Sequence, residues 1–288
     1  MAYFTHILIL VNIYIILSVA TGLIVGMSRM ISLGQAAFYG IGAYITALAV
    51  MVLDLTLIPS LLLVMAVNAA VGLMLALPAV RLKGDYFILA TLAFQFIIFS
   101  LMNNLDITNG SLGIGGIGPV SVMGIMILDS PADYLLLSLV MAAVVVLVFY
   151  LIYHSSFGNA LRAMREDEVS LQTQGRNTSR LKITAFIVSG AFIGWASFIF
   201  ASYMTYIFPG GFHLDESIFI LIAVIVGGSG TIRGGIAGAL FVVVVPELIR
   251  YSGLPDSIAA PMNQLLFGMI LILVMFYRPY GLLGKLKL

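Results

Sequence analysis

The sequence predicts an all-α integral membrane protein. Three observations carry this. Apolar residues dominate, they run in stretches long enough to cross a bilayer, and the basic residues collect between those stretches. Hydrophobic types make up 62% of the 288 residues and charged types only 9%. A water-soluble domain carries roughly a quarter charged residues, so this chain lacks the polar surface to cover a globule in water. No hydrophilic stretch is long enough to fold alone, and residues 1–288 are read as a single transmembrane domain. The absence of cysteine excludes disulfides, thiolate metal sites and cysteine nucleophiles.

A spanning helix needs about 20 mostly apolar residues, and about nine segments fit or nearly fit. They cover roughly 4–28, 33–53, 55–80, 86–102, 132–153, 183–203, 216–230, 234–250 and 260–278. The first lacks the basic residues that open a signal peptide and is expected to be a spanning helix. The seventh and eighth are short and flank Gly227, Gly228, Gly230, Gly234 and Gly235. They are expected to be either full spans or half-helices meeting inside the membrane, where broken helices are tolerated beside a cavity.

Basic residues accumulate on the cytoplasmic side of membrane proteins. Arg162, Arg165, Arg176, Arg180 and Lys182 fall in the loop 154–182, and Arg278, Lys285 and Lys287 in the C-terminal stretch. Four crossings separate the two groups, so both are cytoplasmic together. Arg29, Arg81, Lys83 and Arg233 then also fall inside, and only Arg250 outside. This orientation places the N-terminus outside and the C-terminus in the cytoplasm. Residues 103–131 form an external loop, in which Val120–Leu128 is too short to cross and is expected to be an interfacial helix.

The loop 154–182 is the only substantial cytoplasmic element. From Asn159 to Gln174 it contains no Gly or Pro, so a helix is expected there, with Gly175 as its stop. Ala160, Leu161, Met164 and Leu171 can share an apolar face, leaving Arg162, Arg165, Glu166 and Asp167 on the remainder. Such a helix can dock in a groove of another protein, or it can lie as a solvated connector on the headgroups.

The stretch SSFGNALRAMREDEVSLQTQG resembles the cytoplasmic coupling loop of the branched-chain amino acid ABC importer permeases. The match falls on Gly158, Arg162, Ala163, Arg165, Asp167 and Gly175. ISLGQAAFYGIGAYITAL (31–48) resembles the family's second-helix signature, through Ser32, Gly34, Gln35, Gly40, Gly42 and Ala43. GGSGTIRGGIAGAL (227–240) resembles its late Gly-rich turn. KGDYFILATLAFQFIIFSLMNNLDITNGSLGI resembles the subtype usually paired with a sister permease. Val169 and Ser170 depart from the alanine pair common after the acidic residue, and Arg233 replaces an aliphatic or aromatic residue.

The resemblance implies a polytopic helical ABC importer permease, a transport subunit and not an enzyme, in the inner membrane of a prokaryote. It implies a heterodimer with a second homologous permease, two cytoplasmic ATPase subunits and an extracytoplasmic solute-binding protein. Membrane lipid surrounds the chain, and no nucleic acid is involved. Gly158, Leu161, Arg162, Arg165, Asp167 and Gly175 would couple to the ATPases. The implied cargo is leucine, isoleucine or valine. A urea or short-amide importer and an ion-coupled carrier are the alternatives. No phosphate-binding loop of the form G-x-x-x-x-G-K-[ST] occurs. The chain is therefore expected to bind no cofactor itself, with ATP–Mg held by the ATPase partners.

Polar residues inside the spans must face protein or water, because an unpaired amide facing lipid costs several kcal/mol. Gln35, Tyr39, Tyr44, Thr46, Asn68, Thr91 and Gln95 are such residues. Gln35 with Tyr39, and Thr91 with Gln95, are each four apart and share a helix face. They make either interhelical hydrogen bonds or contacts to a zwitterionic solute. Gln35, Tyr39, Tyr44, Thr91 and Gln95 are the candidate lining of a translocation path. Gly34, Gly40 and Gly42 permit close helix packing. Asp215 and Glu216 begin the seventh segment and Glu247 lies near the outer end of the eighth; helix capping by Asp215 or docking of an external partner is expected of these acids rather than proton coupling. His6, His154 and His213 have no metal-binding spacing, and Trp195 is expected in the core.

Overall fold

A computed structural model describes the chain except residues 1, 83, 123–125, 129, 252–255, 278–280 and 285–288. Most of the described residues are helical; short strands, 3₁₀ turns and connecting loops make up the rest. The helices are α1 (Ala2–Gly22), α2 (Gln35–Met51), α3 (Leu57–Ala79), α4 (Asp85–Asn104) and α5 (Pro131–His154). Two short helices follow, α6 (Ser156–Glu166) and α7 (Glu168–Thr173). Then come α8 (Thr178–Met204), α9 (Leu214–Gly227), α10 (Ile232–Tyr251) and α11 (Asp256–Tyr277). Six helical stretches among the described residues are long and apolar enough to cross a membrane: 3–27, 57–79, 85–104, 131–154, 178–204 and 209–227. The chain is a multi-pass helical membrane protein.

The helix boundaries follow from local chemistry. Ser130 and Asp133 form a reciprocal capping box at the start of α5, with Pro131 at the first helical position. Ser155 accepts from the Gly158 N–H at the start of α6, and Asn177 accepts from the Arg180 N–H at the start of α8. α1 continues into a π-helical turn, Leu23–Met27, which closes with a bond from the Met30 N–H to the Ile24 carbonyl (3.2 Å).

The burial of the spans separates centre from rim. Within its most apolar window α1 is 67% buried and α8 56%, whereas α3 and α4 are 33% and 22%. α1 packs on α5, α8, α9 and α10; α2 packs on α3, α8 and α9; α3 lies along α8. The rim helices turn Leu62, Met74, Leu89, Ile97, Leu139 and Leu147 outward. In lipid this carries no hydrophobic cost.

Small residues set the central spacing. A side chain at Gly42 would run into Ser197 of α8 and the Asn68 amide of α3. Asn68, with its amide oriented to satisfy both groups, donates to the Phe38 carbonyl and accepts from the Gly194 N–H (3.2 Å each). It thereby joins α2, α3 and α8. At the α9–α10 hairpin, Gly227 lies against Gly234 and Gly238, and Gly238 lies against the Ala223 carbonyl. The end of α9, just before the turn Gly228–Thr231, is tied to the C-terminal stretch by N–H bonds from Leu282 and Leu283 to the Val226 and Gly227 carbonyls.

Two expectations are corrected. Val120–Leu128 is not a helix: Ser121–Val122 pairs antiparallel with Met126–Ile127. A nine-residue run entered through Gly118-Pro119 is too short for cooperative helix formation, and its valines favour extended backbone. The strands Ile114–Gly115 and Tyr206–Ile207 also pair, pinning the loop 103–131 to the end of α8. Asp215 is not the cap of α9; His213 holds that position, and Asp215 sits in the first turn beside it (3.8 Å). There its charge favours the helix N-terminus. Lys83, Arg278, Lys285 and Lys287 lie outside the described residues.

Candidate functional site

The 154–182 segment forms two helices, not the single helix expected over Asn159–Gln174. Asp167 breaks it. Its backbone is extended, and its carboxylate accepts from the Val169 and Ser170 N–H groups (2.9 and 3.1 Å), starting α7. Aspartate competes for backbone donors in this way, which makes it an N-cap and a poor mid-helix residue. Gly175 does end the segment. It adopts φ 81°, and the Arg176 and Gly175 N–H groups return to the Leu171 and Gln172 carbonyls.

Ala160, Leu161, Met164 and Leu171 all face the bundle and are buried. The two central arginines face inward too, against the sequence expectation. Arg162 donates to the Tyr153 carbonyl at the end of α5 (2.8 Å) and to Asn159. Arg165 is only 7% exposed and donates to the Gly26 carbonyl in the π-helical turn of α1. Burial, with the like charge of Arg29 adding to it and the carboxylate of Glu166 opposing, pulls the Arg165 guanidinium below its ordinary pKa. Gly158 is required sterically: a Cβ there would strike the Ile152 and Tyr153 carbonyls. Lys182 ties α8 to Glu168 of α7 (2.6 Å). What the segment presents outward is Asn159, Ala163 and Glu166 on one face of α6, then Asp167 and Val169, the last 65% exposed.

Four of the five candidate path residues meet around the first half of α2. Thr91 and Gln95 of α4 both serve its uncapped N-terminus. Thr91 Oγ1 accepts from the Leu33 N–H (3.1 Å), and Gln95 Oε1 accepts from the Ala37 N–H (2.7 Å). Gln95 Nε2 donates to the Phe212 carbonyl (2.8 Å). Ser217 Oγ accepts from the Ala36 N–H (2.8 Å). These bonds take up donors that the start of every helix leaves free. Tyr39 packs its ring on Phe200 and Phe212, at 5.2 and 5.3 Å between centroids. Tyr44 reaches Phe212 from further along α2 (6.3 Å).

Gln35 is different. It is fully buried, and neither amide atom meets a hydrogen-bond partner among the described residues. A buried unpaired polar group costs about 1–3 kcal/mol. Gln35→Met is therefore expected to raise the thermal midpoint of the purified chain, and a fall would show that the amide is paired.

Sequence reasoning missed Ser217, Gly26 and the Tyr14–Glu216 hydrogen bond (2.7 Å) that joins α1 to α9. Ser217 could have been flagged as a lone hydroxyl in an apolar run. Gly26 gives no sequence signal, because its carbonyl does the work. His6 meets the Tyr203 hydroxyl (3.0 Å) and His154 the Tyr150 carbonyl (2.8 Å). No group of metal-ligating side chains occurs among the described residues. Trp195 stacks on Phe192 (5.5 Å).

The comparisons with known proteins agree with this architecture. The family model described as branched-chain amino acid transport system / permease component matches residues 3–275. The chain is 35% identical to the high-affinity branched-chain amino acid transport system permease protein LivM of Salmonella typhimurium, over 94% of this chain and 68% of that protein. It is 34% identical to the LivM protein of Escherichia coli K12, over 95% and 68%. Against the LivH permease protein of the Salmonella system identity falls to 24%, over 94% and 91%. No solved structure matches the chain. On the extent of these matches, the chain belongs to the branched-chain amino acid transport system permease family and is of the LivM type.

Proposed function

We propose that this chain is the permease subunit of an ATP-driven importer of leucine, isoleucine and valine, sited in the inner membrane of a prokaryote. An extracytoplasmic binding protein delivers the solute, a sister permease of the LivH type completes the translocation path, and two ATPase subunits drive it. The relatives named for this transport system support the cargo and the pairing. The grouping of Arg29, Arg81, Arg162, Arg165, Arg176, Arg180 and Lys182 supports an orientation with that end in the cytoplasm and the N-terminus outside, over nine crossings.

The observation that carries the mechanism is the two-sided character of α6. One side is locked to the membrane helices through Leu161, Met164 and the Arg165–Gly26 bond. The other, bearing Asn159, Ala163 and Glu166, is open. A push on the open side is transmitted rigidly, because packed interiors compress little. The π-helical turn of α1 receives it through Gly26. That turn also abuts the α9–α10 hairpin at Gly230, so movement of α6 reaches two elements at once.

Around α2, Gln35, Tyr39, Tyr44, Thr91 and Gln95 form the solute path. Thr91, Gln95 and Ser217 hold the helix start, and the unpaired Gln35 amide supplies a donor and an acceptor for a passing zwitterion. Selectivity resides mainly in the binding protein, which accounts for the sparse charge.

The test is uptake by proteoliposomes containing both permeases, the two ATPases and the binding protein. Leucine accumulation should require ATP and all components. Proton-driven uptake by this chain alone would defeat the proposal, as would ATP-driven uptake of urea or short amides with none of leucine. In the same vesicles Gln35→Met should slow leucine uptake while leaving ATPase assembly intact; unchanged uptake would remove Gln35 from the path.

A further inference from the structure

Tyr14 lies near the middle of the spanning stretch 3–27, and its hydroxyl donates to Glu216 Oε1 (2.7 Å). Glu216 stands in the first turn of α9, so that turn begins deep in the bundle. α4 gives the same depth by a second route. Gln95, near the middle of the stretch 85–104, reaches the Phe212 carbonyl just ahead of α9 and the Ala37 N–H in the first turn of α2. The starts of α2 and α9 therefore meet at mid-depth, where Ser217 accepts from the Ala36 N–H (2.8 Å). Substrate sites of transporters lie near the midplane, where helices begin or break.

The Glu216 carboxylate has no counter-charge there. Its neighbour Asp215 turns outward, its side chain 55% exposed beside His213. Glu216 is half-buried, and among the described residues its carboxylate meets Tyr14 alone, with no ion pair. An ionised side chain at this depth is costly, and such residues pair with one another or mark the path of a substrate or ion. One phenol bond also leaves acceptor sites unused, since a carboxylate offers about four.

The groups around Glu216 belong to the α2 face assigned above to the solute. Tyr39 is one turn on from Gln35 and shares its face. Glu216 lies within electrostatic reach of both the Tyr39 and Tyr14 hydroxyls, so the three form one cluster between α1, α2 and α9. Gln35 is the chain neighbour of Ala36, as Glu216 is of Ser217, and neither of its amide atoms is paired. An acid with spare acceptors and an amide with spare donors thus stand at one level of the bundle. A zwitterion carries the cation that the first lacks and the carboxylate that the second can bind. Urea and short amides carry neither.

We propose, on the reading of this chain as an amino acid permease, that the Glu216 carboxylate receives the α-ammonium group of the solute at mid-membrane. Tyr14 orients the carboxylate, and the Gln35 amide faces the other end of the zwitterion.

The test is leucine uptake by proteoliposomes holding the complete transporter, at saturating binding protein. Glu216→Gln keeps an acceptor for Tyr14 and removes the charge. Its thermal midpoint should not fall, while its maximal uptake rate should fall at least ~10-fold, the scale of one charge-assisted hydrogen bond. Glu216→Asp should recover part of that loss. Tyr14→Phe leaves the charge but not its orienting bond and should cost only about 3-fold, less than a full charged hydrogen bond. A second readout needs no turnover. Dicyclohexylcarbodiimide couples to carboxyl groups in apolar surroundings, and its labelling of Glu216 in the vesicle-embedded permease pair is followed by mass spectrometry. Leucine and leucinamide, which carry the ammonium group, should slow the labelling, and isocaproate, which lacks it, should not. Normal leucine uptake by Glu216→Gln overturns the assignment of Glu216 and leaves the permease reading intact. An equal loss in Tyr14→Phe would make the pair a tie between α1 and α9 and overturns it too, as does equal labelling with all three compounds. Wild-type uptake of urea or short amides with none of leucine defeats both.

Discussion

Gly238→Ala is expected to destabilise the chain by at least about 3 kcal/mol, lowering the thermal midpoint by roughly 6–12 °C on the scaling for large domains. The added methyl would lie inside the contact radius of the Ala223 carbonyl and against its Cα. Both are backbone atoms of α9, so no side chain can rotate away. The helices would have to separate. Separation would also disturb the Gly227 carbonyl, which accepts from Leu283, and the Gly26–Gly230 approach to the π-helical turn. The control is Gly268→Ala in α11, where nothing lies within contact range of the new Cβ. Alanine is the better helix former by about 1 kcal/mol, so this variant should be unchanged or slightly more stable. Equal midpoints for the two variants would show that the α9–α10 contact is looser than described.

If ATPase subunits dock on the open face of α6 as proposed, Ala163→Arg and Val169→Asp are expected to weaken that association at least ~30-fold while leaving the midpoint of the isolated chain within about 0.5 kcal/mol of wild type. Both side chains are exposed. Binding of the purified ATPases to vesicle-embedded permease measures the loss. Arg165→Glu should behave in the opposite way. It would set a buried carboxylate against the Gly26 carbonyl, two acceptors facing each other, and the chain itself should lose stability by about 3 kcal/mol or more. Arg162→Glu would likewise remove the bond that closes the end of α5. If Ala163→Arg and Val169→Asp bind ATPases normally, the docking face lies elsewhere.

The arginines show where reading the sequence stopped. On a helical projection Arg162 and Arg165 fall with Glu166 and Asp167 outside the apolar stripe, so they look like a docking face. Their long side chains instead reach back to carbonyls contributed by α5 and α1. A projection records the direction of each Cβ, and a guanidinium several bonds further out is free to turn toward a partner the projection does not contain. Thr91 and Gln95 illustrate the reverse case. Their shared face and need for partners followed from spacing and polarity alone. That the partner is the start of α2 depended on how α4 lies against it.

The sequence by itself determined the solvent, the helical class, the family resemblance and the glycine stop of the 154–182 segment, because these rest on composition, period and short-range backbone chemistry. Local competition also explains the break at Asp167, whose carboxylate caps the turn that follows it. Only the tertiary structure decided which polar groups are already satisfied. It set Arg165 on Gly26, left Gln35 unpaired, and brought Thr91 and Gln95 to the start of α2. Those outcomes depend on carbonyls and helix ends distant along the chain, and a backbone carbonyl carries no residue-specific mark in the sequence.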